Sequence, residues 1–239
     1  AVPPCTPSAQ PASSAEGCHT SPAAPEAFAH FVTVADTVKA TPKKLEKIGA
    51  LQIYLAALSP DDAAIAATFL TGRAFPQRDP RNLNLGWAVI KRAVLEVAGV
   101  NEADYRAAYH RFADAGDATA AVLERRPRSS TAVDGPAPRA CSLVDMADFF
   151  DRIAAARGPA PKLDLLRDLL RMLPADQARY LVKISTGDLR IGLKEGLLEE
   201  AVALASGQML EAVREAHMLC GDIAAVTRAA KTDRLSSIE

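Results

Sequence analysis

The second half of this chain repeats the first, and that limits what it can fold into more than any other property of the sequence. Phe31 stands thirteen residues before Lys44, and Phe149 thirteen before Lys162, each lysine with a proline just ahead and an apolar helical stripe behind. Thr71-Gly72 corresponds to Thr186-Gly187, Leu85-Gly86-Trp87 to Ile191-Gly192-Leu193, and the run opening at Gly116-Asp117 to the one opening at Gly221-Asp222. At roughly 100 residues per copy, the period is too long for tetratricopeptide, ankyrin or HEAT arrays, whose units run about 33–47. The expectation is two similar units, residues 27–125 and 143–229, packed face to face about a pseudo-twofold axis that sets equivalent loops side by side.

The units should be helical. Hydrophobic residues make up 49% of the 239-residue chain but aromatics only 5%, with alanine and leucine dominant. A β-sandwich would need more Val, Ile, Tyr and Thr. Phe28, Phe31, Val32 and Val34 begin one apolar stripe. Thr41 and Pro42 open a second helix as N-cap and first position, and Ser59 and Pro60 open a third. Trp87, Ile90, Val94 and Val97 mark another after a proline-bearing loop, and residues 104–123 read as one or two helices broken at Gly116. Pro174 opens a helix that ends at Thr186-Gly187, and Leu193, Leu197, Ala201 and Leu204 follow on the next. The fold class expected is all-α, a multi-helix bundle of about a dozen helices in two pseudo-symmetric halves. Residues 1–26, dense in Pro, Ala and Ser, are expected to be a disordered tail, 126–142 a polar linker, and 230–239 a C-terminal connector.

Formal net charge is -1, so any surface for a polyanion must be local and balanced elsewhere. Cys5, Cys18, Cys141 and Cys220 have no metal-site spacing and read as free thiols of a reducing cytoplasm, with His217 and Cys220 a chance pair. Neither a signal peptide nor a membrane span is visible, and the chain begins without methionine, as a fragment would. The P-loop, HExxH and GxSxG patterns are absent, and Lys231-Thr232-Asp233-Arg234 lacks the glycine of a K-x-D-G nucleotidyl-transfer motif.

Charge placement is what points to a ligand. A helix start already carries about half a positive charge, so lysines there are electrostatically misplaced. Lys43 and Lys44 stand at one such start and Lys162 at another. An external anion would supply the missing charge, as phosphates do at helix N-termini. Arg73, Lys183, Arg190 and Lys194 lie at the matching helix breaks, where Gly187 and Gly192 allow positive φ and close backbone approach. Each cation taken singly also suits an ordinary solvated helix end, and each glycine a C-cap. The repeated set suits a clamp on the two phosphate strands of duplex DNA.

Leu181-Val182-Lys183-Ile184-Ser185-Thr186-Gly187-Asp188-Leu189-Arg190-Ile191-Gly192-Leu193, with Thr41-Pro42-Lys43-Lys44 and Lys162-Leu163 upstream, resembles the N-terminal DNA-binding domain of ATP-dependent DNA ligases over about residues 28–229. The resemblance implies an all-α domain that grips nicked duplex DNA through backbone and minor groove for sealing in replication, repair and recombination. It places Gly187, Arg190 and Gly192 on a DNA-facing loop, and Thr41, Lys43, Lys44 and Lys162 on helix starts. Ala160-Pro161 and Gly72-Arg73-Ala74-Phe75 depart from the family pattern. The resemblance further implies a monomer of the bacterial cytoplasm, at the nucleoid, that works with adenylation and OB-fold domains. ATP and Mg²⁺ would serve the full-length enzyme and no cofactor this chain, which lacks the catalytic lysine. A helical scaffold binding a protein partner, with affinity insensitive to salt, is the alternative from another class.

Overall fold

A computed structural model of the chain describes residues 27–125 and 141–238. The expected tail and residues 126–140 of the expected linker lie outside the described residues, as do Cys5 and Cys18. Among the described residues there are twelve α-helices and no strand: α1 (Phe28–Ala40), α2 (Lys44–Ala57), α3 (Pro60–Leu70), α4 (Trp87–Ala98), α5 (Glu102–Phe112), α6 (Ala115–Glu124), α7 (Leu143–Ala155), α8 (Pro159–Met172), α9 (Ala175–Thr186), α10 (Glu195–Ser206), α11 (Leu210–Cys220) and α12 (Ile223–Lys231).

Local chemistry sets many of these starts. Ser59 accepts from the N–H of Asp62 with Pro60 at the first position, and Asn101 with Asp104 and Ser142 with Asp145 form reciprocal capping boxes. Two boundaries differ from the sequence expectation. Lys43, not Thr41, is the N-cap of α2; Thr41 Oγ1 instead accepts from the Lys43 N–H at 3.2 Å and donates to Glu46. The break expected at Gly116 falls at Ala113-Asp114, because the Asp114 carboxylate caps α6 by accepting from the Asp117 N–H. Gly116 lies inside that helix. A β-carbon there would sit 2.6 Å from the Arg179 carbonyl oxygen, so the close approach of α6 to α9 requires glycine.

The helices recur with a different register from the one read in the sequence. Phe28, Lys44 and Pro60 start α1 to α3, and Leu143, Pro159 and Ala175 start α7 to α9, a constant shift of 115 residues. Trp87, Glu102 and Ala115 start α4 to α6, and Glu195, Leu210 and Ile223 start α10 to α12, a shift of 108. The difference is the loop after Gly72, longer than its partner after Gly187. Lys162 therefore matches Lys47 rather than Lys44, and Gly192 matches Asn84 rather than Gly86. Thr71-Gly72 with Thr186-Gly187 is in register.

The closest helix pairings all cross between the halves and are exchanged: α2 packs on α10 and α8 on α4, α3 on α12 and α9 on α6. One continuous core results. Its centre is an edge-to-face chain of rings from both halves, Tyr180 to Phe31 at 6.1 Å, Phe31 to Phe69 at 6.0 Å and Phe69 to Phe150 at 5.6 Å. All four side chains are buried, each contributing about 1.5–3 kcal/mol by removal from water. No described helix is long and apolar enough to cross a membrane.

Candidate nucleic-acid interface

The turn from α9 to α10 is built by alternation. Leu189 and Ile191 point into the core while Arg190 and Gly192 face outward. Gly187, Arg190 and Gly192 all have positive φ, 72°, 50° and 63°. For arginine that conformation costs roughly 1–2 kcal/mol, so something must hold it. Its Nη1 donates to the Ala113 carbonyl at 2.6 Å and its Nε to Asp188 at 2.6 Å, with Asp114 4.0 Å away. Asp188 raises an arginine pKa that is already high, so the guanidinium is permanently charged.

A second tie comes from Lys47. Its ammonium donates to the carbonyls of Ile191 and Gly192, both at 2.8 Å, binding the first turn of α2 to the loop. A β-carbon on residue 192 would lie 3.0 Å from that nitrogen, a tight approach to the end of a flexible side chain, so it is the positive φ that favours glycine there. Sequence reading missed Lys47. Its signal was the 115-residue shift to Lys162, visible from the Thr-Gly pair but obscured by matching Lys162 to Lys44.

The equivalent turn of the first half meets this one. A β-carbon on Gly72 would lie 3.5 Å from the Gly187 carbonyl oxygen and 3.4 Å from the Leu189 nitrogen, so the two Thr-Gly turns touch through their glycines. Arg73 follows directly and opens beside Arg190. The result is a cleft of about 440 Å³ lined by Thr71, Arg73, Gln77, Arg190, Gly192 and Lys194, with Glu195 on its rim. Lys194 is the N-cap of α10, with no side chain capping that end, so main-chain N–H groups and a cation point the same way.

Four of the nine sequence candidates, Arg73, Arg190, Gly192 and Lys194, thus line one cleft, and Gly187 stands on the same turn outside its lining. Thr41, Lys43 and Lys44 stand one turn before Lys47 at the adjoining start of α2. Lys43 pairs with Glu46 at 2.7 Å on the surface, worth about 0–1 kcal/mol. Among the described residues, Lys44, Arg73 and Lys194 are exposed and carry no ion pair. Two cations need correction. Lys162 is buried and its ammonium donates to the Leu83 and Asn84 carbonyls at 2.5 and 3.2 Å, so it fastens the loop before α4 as Lys47 fastens the loop before α10. Lys183 is buried against Asp114 at 2.5 Å and Asp117 at 3.6 Å. Neither needs an external anion, because backbone carbonyls satisfy Lys162 and internal carboxylates satisfy Lys183. Burial pushes the Asp114 carboxyl up, but the hydrogen bond from Lys183, the Asp117 N–H and the charges of Lys183 and Arg190 outweigh it, leaving the pKa below the usual range.

The family described as DNA ligase N terminus matches residues 27–203. The chain belongs to that family. It is 63% identical over 94% of its length to the protein called "Probable DNA ligase" in Opitutus terrae, covering 25% of that protein. Against the one so called in Koribacter versatilis it is 41% identical over 84% of its length and covers 34%. Against the DNA ligase of Methanopyrus kandleri it is 31% identical over 78%, covering 33%. This DNA ligase N-terminal chain therefore spans about a quarter to a third of the length of the curated relatives it matches.

Proposed function

We propose that the chain grips duplex DNA across its nick for an ATP-dependent DNA ligase, serving replication, repair and recombination at the nucleoid, and that it works as a monomer beside adenylation and OB-fold domains. The observation that carries this is the meeting of the two Thr-Gly turns, which sets Arg73, Arg190 and Lys194 on one cleft with Lys44 nearby. A duplex presents two phosphate strands related by local twofolds, and a duplicated fold can present two equivalent turns to them. Ala27 forms a backbone bridge with Ser142, its own counterpart, as Gly72 contacts Gly187. Residues that meet their counterparts lie on the line relating the halves, which supports a pseudo-twofold relation. Glycines and exposed cations suit backbone and minor-groove contact rather than base reading.

ATP and Mg²⁺ are assigned to the whole ligase. Among the described residues no group of three or more His, Cys, Asp or Glu is placed to hold a metal, and the role assigned to this chain rests on the cationic side chains of the cleft. Their part is positioning, which holds both sides of the nick in line. Titration of the 239-residue chain with a nicked duplex at rising salt tests the reading. Log affinity should fall with log salt at about -0.9 per phosphate neutralised, and Arg190→Glu should weaken all sequences alike with helix content unchanged. Absence of low-salt binding would end this reading, and salt-insensitive binding would favour a protein-binding scaffold.

A further inference from the structure

Next to the cationic cleft, between the start of α4 and the face of α5, lies a second hollow of about 400 Å³ whose lining includes Trp87, Tyr105, Tyr109, Lys91, Arg106 and Glu102. The rings of Trp87 and Tyr105 are 5.9 Å apart and inclined by 48°, in contact with each other. Tyr105 is buried and donates from its hydroxyl to the Ala115 carbonyl, which fixes the floor. Trp87 is 40% exposed and Tyr109 43%, unusual for large rings in a chain so poor in aromatics. Glu102 is neutralised by Lys91 at 2.7 Å, with Arg106 at 3.9 Å, so the rim is cationic on balance.

The second half carries no such set of rings. At the corresponding positions of the second half, 108 residues on, Glu195 replaces Trp87, Val213 replaces Tyr105 and His217 replaces Tyr109. The hollow also lies near the cleft: Arg190 donates to the Ala113 carbonyl, and the Ala113 N–H donates to the Tyr109 carbonyl one turn back.

We propose that this hollow takes the base of an unpaired nucleotide on a strand that leaves the duplex held in the cleft. The inference rests on the DNA-gripping reading and adds a single-stranded branch to its substrate. Every base has a flat face, so the exposed rings of Trp87 and Tyr109 accept any of them, while Lys91, Arg106 and Arg190 meet the phosphates on either side. Proximity to the cleft and the cationic rim favour a nucleotide over a protein side chain.

Trp87 is the single tryptophan of the chain, so its fluorescence reports on the hollow directly. The intact chain is titrated with a nicked duplex, with the same duplex carrying a short oligo-dT flap at the nick, and with oligo-dT alone. The flap duplex should quench Trp87 and bind about fivefold to tenfold more tightly than the plain nick. Tyr109→Ala should abolish that gain, and Tyr109→Phe should keep it. Arg106→Ala, on the exposed rim, should reduce it independently. If the plain nick binds and the flap adds neither quenching nor affinity, the proposal is overturned and the gripping reading stands. Equal quenching by both duplexes would also overturn it, by placing paired DNA at the hollow. Quenching by oligo-dT without any binding of the plain nick would support a single-strand site and remove the gripping reading instead.

Discussion

The crossing of α6 on α9 and the crossing of α3 on α12 occupy corresponding places, yet the first buries its ion pairs while the second carries an ion pair at the surface, Arg228 to Asp61 at 2.7 Å. At the first, Lys183 lies buried between Asp114 and Asp117, and Arg179 reaches Asp36 at 2.5 Å. At the second, Thr68 and Ala64 stand where Lys183 and Arg179 do, and Ala225 where Asp117 does. Thr68 merely donates to the Ala64 carbonyl in its own helix. The crossing with the buried pair is the one joined to the cleft, since Asp114 lies 4.0 Å from Arg190. Burying charge is a poor way to gain stability, but it fixes geometry when every partner is present. The comparison teaches that one copy of a duplicated contact can serve as plain packing while the other holds a strained surface loop in place.

Removing the charge at the first crossing should give the largest effect. Lys183→Met leaves Asp114 buried without its nearest cation and should destabilise the fold by about 3–5 kcal/mol in chemical denaturation, whereas Thr68→Ala should cost about 1 kcal/mol or less. Similar losses at both sites would break the contrast. Gly116→Ala comes next: its β-carbon would meet the Arg179 carbonyl oxygen at 2.6 Å and Lys183 Cγ at 2.7 Å, for a loss of about 1–3 kcal/mol. The reverse change at the corresponding position, Ala224→Gly, should cost only about 1 kcal/mol through helix propensity.

The two loop-fastening lysines sharpen the comparison in function. Lys47→Met frees the Ile191 and Gly192 carbonyls, Lys162→Met those of Leu83 and Asn84. Each should cost about 1.5–3 kcal/mol, as charged hydrogen bonds do. Only Lys47→Met should also weaken nicked-duplex binding severalfold, measured by titration at fixed salt, because only its loop carries Arg190 and Lys194.

These cases show how far the sequence could be read. Apolar spacing and caps such as Ser59-Pro60 made the all-helical class legible, because propensity and capping act within a few residues. The Thr-Gly turns were legible as corresponding because both sit at the same shift. Lys47 and Lys162 were not, because a buried lysine and a surface lysine at a helix start look alike until a loop from the other half arrives to accept the hydrogen bonds. Gly116 was misread as a break for the same reason: it answers to the backbone of α9, 63 residues away in the chain.

The smallest effect is expected from acid. Asp114 has a folded-state pKa below the ordinary value, so it stabilises the folded state at pH above the unfolded value of about 3.9 and loses that contribution as pH falls through the folded pKa. The sign follows from proton uptake: below pH 4 the unfolded chain binds this proton more readily than the folded one does. The effect should be modest because burial opposes the lowering by Lys183. Denaturation between pH 5 and pH 3 should show a steeper loss of stability for the parent chain than for Asp114→Asn, and the flattened profile should leave Arg190 less firmly held. If both chains lose stability with the same slope, Asp114 does not titrate as a partner of Lys183, and the buried pair is not what sets this crossing apart from that of α3 on α12.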